Sequence, residues 1–153
     1  MLAMMAGALF SLPPRTLVAA QNQSEERSDC SRVAIRTIKY RIARKDRTKD
    51  GGLFLHISVS KKDFEPSTLL ALACRLDSDW HNEPNVFVSI FDSYKSAKGY
   101  IYPWAPEKPP HWNRYEASLR ASYLRDPAKH EHWIAWYADP LNKEGKTVVT
   151  LEQ

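Results

Sequence analysis

The sequence predicts an α+β fold with a mixed, largely antiparallel sheet of five or six strands, one long helix and one short helix. Two observations predict it. Through residues 53–59, apolar residues alternate with other residues, as in a strand with one buried face. Between Leu69 and Trp80, apolar residues recur every three or four positions, which is the spacing of an amphipathic helix. The order of the elements gives a ββαβ core followed by a hairpin.

The first two strands form a predicted hairpin. In residues 33–43 the apolar alternation changes parity once, which indicates a bulge near Arg36 and Thr37. Residues 44–52 are charged and end in Asp-Gly-Gly, so we expect a turn there. The clean alternation of residues 53–59 then predicts the second strand.

A crossover follows this hairpin. Pro66 suits the first turn of a helix, and the apolar spacing extends that helix over about 14 residues. Residues 86–91 are apolar at nearly every position and so predict a central strand covered on both faces. Asp92 and Ser93 are typical caps for a short helix, which Gly99 would end.

The last third of the chain predicts a hairpin and a final strand. Residues 115–123 alternate strictly, although Asn113 and Glu116 also imitate the capping box of a helix. We predict a strand, because Asp126 and Pro127 form a turn signal and residues 132–137 resemble a second strand. Residues 147–151 predict the last strand.

Residues 1–20 have the pattern of a secretory signal peptide. An uncharged apolar run is followed by two prolines and by small residues up to Ala20, after which we expect cleavage. Because no basic residue precedes the apolar run, an apolar tail on a cytosolic protein is the alternative. The predicted organisation is a signal peptide at 1–20, an extended polar leader at 21–32 and a single domain at 33–153. The expected location is secreted or periplasmic.

The chain has two cysteines, Cys30 and Cys74. In an oxidising compartment such a pair predicts a disulfide bond. Two free thiols, with Cys74 buried as a small apolar residue, are the alternative.

Composition excludes several classes. With 43% hydrophobic and 11% aromatic residues the chain is not disordered as a whole, and no apolar run reaches the roughly 20 residues of a membrane-spanning helix. With only five glycines, the chain lacks the glycine-rich phosphate loops, and no nucleophile elbow or zinc-protease motif is present. We therefore predict neither catalytic residues nor a cofactor.

The net charge of +4 is concentrated in one basic segment, Arg32–Lys49. An anionic envelope surface is a partner that fits this segment, and a solvated hairpin is the alternative. Nucleic acid is disfavoured, because only Tyr40 and Phe54 offer stacking rings nearby. The basic residues are Lys39, Arg41, Arg44, Lys45, Arg47 and Lys49.

The segment between Tyr100 and Tyr115 is rich in proline and aromatic residues, which predicts a rigid loop. Such a loop can present flat rings to a protein, a peptide or a glycan at a low ordering cost. The alternative is that the loop folds back and its rings fill the end of the core. The predicted binding residues are Tyr100, Tyr102, Trp104, Trp112 and Tyr115.

A second functional hypothesis is a metal-dependent hydrolase. His130 and His132 form a His-x-His pair, and residues two apart on a strand share a face, so both rings could bind zinc or copper. His111, His81 or a carboxylate would supply the third ligand, which the local spacing does not identify, and the hydrolase hypothesis takes His111. Solvated histidines on the shoulder of a hairpin are the commoner origin of this pattern. The leading hypothesis is an exported, non-catalytic binding module that uses the aromatic loop.

Overall fold

One seven-stranded sheet organises the part of the chain that the computed structural model describes, which is residues 26–31, 33, 38–101, 107–108, 110–139 and 144–152. The strand order is β1-β7-β6-β5-β4-β3-β2. The strands are β1 (Glu26–Asp29), β2 (Arg41–Arg47), β3 (Leu53–Ser58), β4 (Val86–Phe91), β5 (Leu119–Asp126), β6 (Glu131–Asp139) and β7 (Glu144–Glu152). The helices are α1 (Pro66–Asp79), α2 (Tyr94–Gly99) and α3 (Trp112–Ala117).

The predicted α+β class is confirmed, and the sheet is mixed and mostly antiparallel. Strands β3 and β4 are parallel and connected by α1, and β1 is parallel to β7. The other four neighbouring pairs are antiparallel. The strand that exceeds the expected number is β1, which lies within the predicted leader.

Helix α1 covers one face of the sheet, called here the first face. Leu55 and Ile57 of β3 are fully buried there, as the alternation predicts. Leu72 and Leu76 on the inner side of α1 pack into the same cluster. The helix spans the 14 residues that its spacing indicates, with Pro66 in its first turn.

Helices α2 and α3 lie on the opposite face, called here the second face. Ile90 of β4 belongs to the first cluster, whereas its neighbour Phe91 belongs to a separate cluster with α2 and α3. The predicted cap of α2 is confirmed, since the Ser93 hydroxyl accepts a hydrogen bond from the Ser96 amide at 3.3 Å. Tyr100 and Trp112, which flank the aromatic loop in the sequence, belong to this second cluster.

The hairpin at the start of the sheet differs from the prediction. Strand β2 extends through Arg47, and its bulge lies between Ile42 and Arg44; Arg36 and Thr37 are outside the described residues. The turn is shorter than predicted because the Thr48 amide donates to the Gly52 carbonyl at 2.9 Å, and Gly51 adopts a φ of 87°. A left-handed residue in so tight a turn favours glycine.

The ambiguous segment after the loop contains both of the elements that its pattern indicates. Residues 112–117 form α3, and only from Leu119 onward does the alternation become strand β5. The prediction of a strand over residues 115–123 was therefore wrong for its first part. The predicted hairpin is confirmed, because β5 and β6 are antiparallel across the turn at Asp126 and Pro127.

Candidate recognition site

The two ends of the aromatic loop are joined by stacked rings. Tyr100 follows α2 and Trp112 begins α3, and both are buried, with 3% and 6% of their surface exposed. Their ring centroids are 4.7 Å apart, with 24° between the planes. Phe91 of β4 supports the pair, with its ring 5.1 Å from that of Tyr100. The stack thus fixes the entry and exit of the intervening residues 101–111.

Burial governs the chemistry of this stack. Desolvation raises the pKa of Tyr100 to about 12, so the phenol is neutral at physiological pH. The indole N–H of Trp112 is buried and has no hydrogen-bond acceptor in the described part of the structure. Such a donor is uncommon in protein interiors.

Tyr115 approaches the end of α2 closely. A Cβ atom added at Gly99 would lie 2.8 Å from Cζ of Tyr115, so the ring occupies space that only glycine leaves free. Tyr115 is half-buried against the second cluster. Gly99 therefore ends α2 and also admits the ring of α3.

Most of the described part of the loop is exposed, whereas Ile101 is half-buried against the second cluster. Glu107, Lys108, Pro110 and His111 are all exposed, and the Lys108 ammonium lies 5.3 Å from the ring centre of Trp112. Tyr102 and Trp104 are outside the described residues. Of the five predicted binding residues, the structure therefore brings Tyr100, Trp112 and Tyr115 together. Tyr100 and Trp112 are buried and anchor the loop.

A row of half-buried apolar side chains crosses the second face away from the stack. Phe54, Phe87, Leu124 and Trp133 are opposite one another on four adjacent strands. The rings of Phe54 and Phe87 are 5.6 Å apart. The strand patterns could have indicated this row, but only with the register of the sheet known.

The predicted basic residues lie on and beside the edge strand β2. On the first face, the Lys45 ammonium is 4.6 Å from the ring centre of Trp80. Arg47 forms two hydrogen bonds with the Glu83 carboxylate, both of 2.7 Å. These two cations are thus engaged by groups at and just beyond the end of α1.

The remaining cations of β2 are oriented toward the second face, where the Arg41 guanidinium lies 4.1 Å from the ring centre of Tyr94. The Arg44 guanidinium forms an ion pair of 2.6 Å with Asp46. Lys39 and Lys49 are exposed beside the strand. The basic segment is therefore divided between two faces, and much of its charge has an intramolecular partner.

The three histidines predicted as metal ligands are not brought together. His132 lies on β6 on the same face as Ile134 of the first cluster, whereas His111 precedes Trp112 of the second cluster. His130 is not on the strand, because it occupies the turn before β6 with a φ of 57°. Over the described ranges, no group of three or more His, Cys, Asp or Glu side chains could hold a metal ion.

A buried polar cluster on the first face was not predicted. Tyr123 is fully buried, and its hydroxyl lies 3.2 Å from Nε2 of His132. Asp77, near the end of α1, approaches Nε2 of His132 at 3.7 Å and Nε of Arg125 at 3.2 Å. Arg125 also donates to the carbonyl oxygen of His81 at 2.6 Å. The cluster fixes the end of α1 and the following turn to the sheet.

We expect the free energy of unfolding to decrease as the pH falls below the ordinary histidine pKa of 6.5. Burial lowers the pKa of both His56 and His132 below that value. Between the folded and ordinary values the unfolded chain binds more protons, so acid favours unfolding. Urea titrations at about pH 7.5 and pH 5 test this, and His132→Gln should show a smaller difference between them. If the free energy of unfolding of both His132→Gln and His56→Gln changed between the two pH values as much as that of the parent chain, the expectation would be contradicted.

The Cys30–Cys74 disulfide is present and links the residue after β1 to the middle of α1. No helix in the described residues is long and apolar enough to span a membrane. Comparison with known proteins gives no match to any family model, curated protein or solved structure.

Proposed function

We propose that this chain is an exported, non-catalytic binding module and that its recognition element is the aromatic, proline-rich loop between Tyr100 and Trp112. The observation that carries the proposal is the buried stack of these two rings, because it clamps both ends of the loop. A loop closed in this way loses less conformational entropy on binding than a free segment of the same length.

The anchors and the contact residues have different roles in this proposal. Tyr100 and Trp112 hold the loop, whereas Tyr102 and Trp104, which the sequence places between them, contact the partner. The partner is a protein, a peptide or a glycan, each of which flat aromatic rings can contact.

Two features support export. Residues 1–20 have the pattern of a signal peptide. The Cys30–Cys74 bond is of the kind that persists outside the reducing cytosol. Together they favour a secreted or periplasmic location, where the loop would meet envelope components or extracellular partners.

Substitution of the contact residues tests the proposal. The chain, recovered from the periplasm and shown by mass to lack residues 1–20, is measured by biolayer interferometry against proline-rich peptides, insoluble glycans and isolated envelopes. For the ligand that binds, we expect Trp104→Ala to weaken binding by about thirtyfold or more, as removal of a central aromatic contact does. Tyr102→Ala should weaken it in the same direction, with unfolding temperatures unchanged.

Trp133→Ala is the matched control. Trp133 is a half-buried aromatic residue of the second face, and it belongs to the row on β3–β6 rather than to the loop. It should leave binding unchanged. If Trp133→Ala removes binding while Trp104→Ala does not, the recognition surface is the open face of the sheet and the proposal is wrong.

A further inference from the structure

Strand β1 combines a short pairing with a covalent anchor. Its four residues pair in parallel with β7, from Glu26 opposite Val149 to Asp29 opposite Glu152. Cys30 follows immediately and is bonded to Cys74 of α1. Parallel pairing over four residues is weak by itself. The disulfide therefore holds β1 at the edge of the sheet.

The strand that β1 covers has a strong tendency to pair. Residues 147–151 of β7 read Thr-Val-Val-Thr-Leu, an uncharged run with four β-branched residues and no proline. An uncovered edge of this composition favours pairing with another chain. Val149 and Leu151 also belong to the first cluster, so β7 stays in the sheet as part of the core.

We infer that the Cys30–Cys74 bond prevents exchange of β1 between copies of this chain. Without the bond, β1 of each copy pairs with β7 of the other in a closed, two-fold dimer. A second copy fits this edge better than a foreign peptide, because it supplies the same strand in the same register and preserves every contact of the pairing.

The rest of the fold permits this exchange. The buried residues of the first cluster come from β3, α1, β4, β5, β6 and β7 together with Val59, so the described core does not depend on β1. Eleven residues, 30–40, separate β1 from β2. Ile38 and Tyr40 pack against the first cluster, so the segment that can extend is residues 30–37, which span up to about 26–29 Å. That length is enough to carry β1 to a neighbouring copy.

The redox step is an ordinary thiol–disulfide exchange. Dithiothreitol supplies two electrons and two protons, breaks the S–S bond to two thiols and becomes its own cyclic disulfide. Conversely, oxidised glutathione can join one thiol from each copy and releases two molecules of glutathione. An exchanged dimer can thus be trapped covalently.

Complementary single-cysteine variants provide the test. Cys30→Ser retains only Cys74, and Cys74→Ser retains only Cys30, so neither can form the internal bond. In an exchanged dimer, Cys30 of one copy reaches Cys74 of the other. Mixing the two variants with oxidised glutathione should give a disulfide-linked heterodimer, seen as a doubled mass without reductant. Neither variant incubated alone should reach that yield.

Reduced full-length chain provides the second measurement. In dithiothreitol its mass by analytical ultracentrifugation should shift toward twice the monomer mass, whereas the oxidised chain at the same concentration should remain a monomer. A reduced chain that remains a monomer overturns the inference. If the mixture gives no more disulfide-linked dimer than Cys74→Ser gives alone, the inference is also wrong. Loss of the folded state on reduction, measured by circular dichroism, overturns it as well.

Discussion

Replacement of Trp112 by alanine should lower the free energy of unfolding by about 3–5 kcal/mol, the usual cost of deleting a buried tryptophan side chain. Trp112 is 6% exposed and stacks on Tyr100 at 4.7 Å, so the variant leaves a cavity in the second cluster and frees one end of the loop. Urea unfolding followed by circular dichroism measures the loss.

Trp112→Phe is the matched control for this cavity. It keeps an aromatic ring against Tyr100 and removes an indole N–H that has no acceptor among the described atoms, so no hydrogen bond within the described residues is lost. Its cost should be well below that of alanine. Trp104→Ala should leave stability nearly unchanged, because the proposal assigns Trp104 to the partner. A Trp112→Ala variant within about 1 kcal/mol of the parent chain would show that the stack does not hold the loop.

Much of the sheet was predictable because its core strands carry local patterns. The alternation through β3 and the helical spacing in α1 each depend on one element packing against one face. The apolar run of β4 correctly indicated a central strand, whose side chains are buried on both faces except for the half-buried Phe87. Short-range signals therefore sufficed for β3, α1, β4 and the later hairpin, but not for the bounds and the bulge of β2.

Strand β1 had no such pattern to reveal it. Its residues, Glu-Arg-Ser-Asp, are all polar, and the strand pairs through backbone groups with a partner more than a hundred residues away. Edge pairing of this kind needs no apolar alternation. The same reason explains why residues 21–32 were predicted as an extended leader only.

The polar cluster on the first face was missed because it depends on register. Arg125 and His132 are opposite each other in β5 and β6, but the hairpin pattern alone does not fix that pairing. Asp77 reaches them from α1, some fifty residues earlier in the sequence. Conversely, the proposed role of the aromatic loop could be formulated from sequence, because proline and aromatic residues are concentrated there.

Loss of the Cys30–Cys74 bond should lower the free energy of unfolding by about 4 kcal/mol, since the bond closes a loop of 44 residues and so restricts the unfolded chain. The double variant Cys30→Ser/Cys74→Ser tests this in urea at a concentration low enough to keep the chain monomeric. Because the unfolded state becomes less compact without the bond, the dependence of unfolding on urea should steepen as well. The parent chain in dithiothreitol should reproduce both changes. A loss below about 1 kcal/mol with an unchanged slope would mean that the bond does not act on the unfolded state.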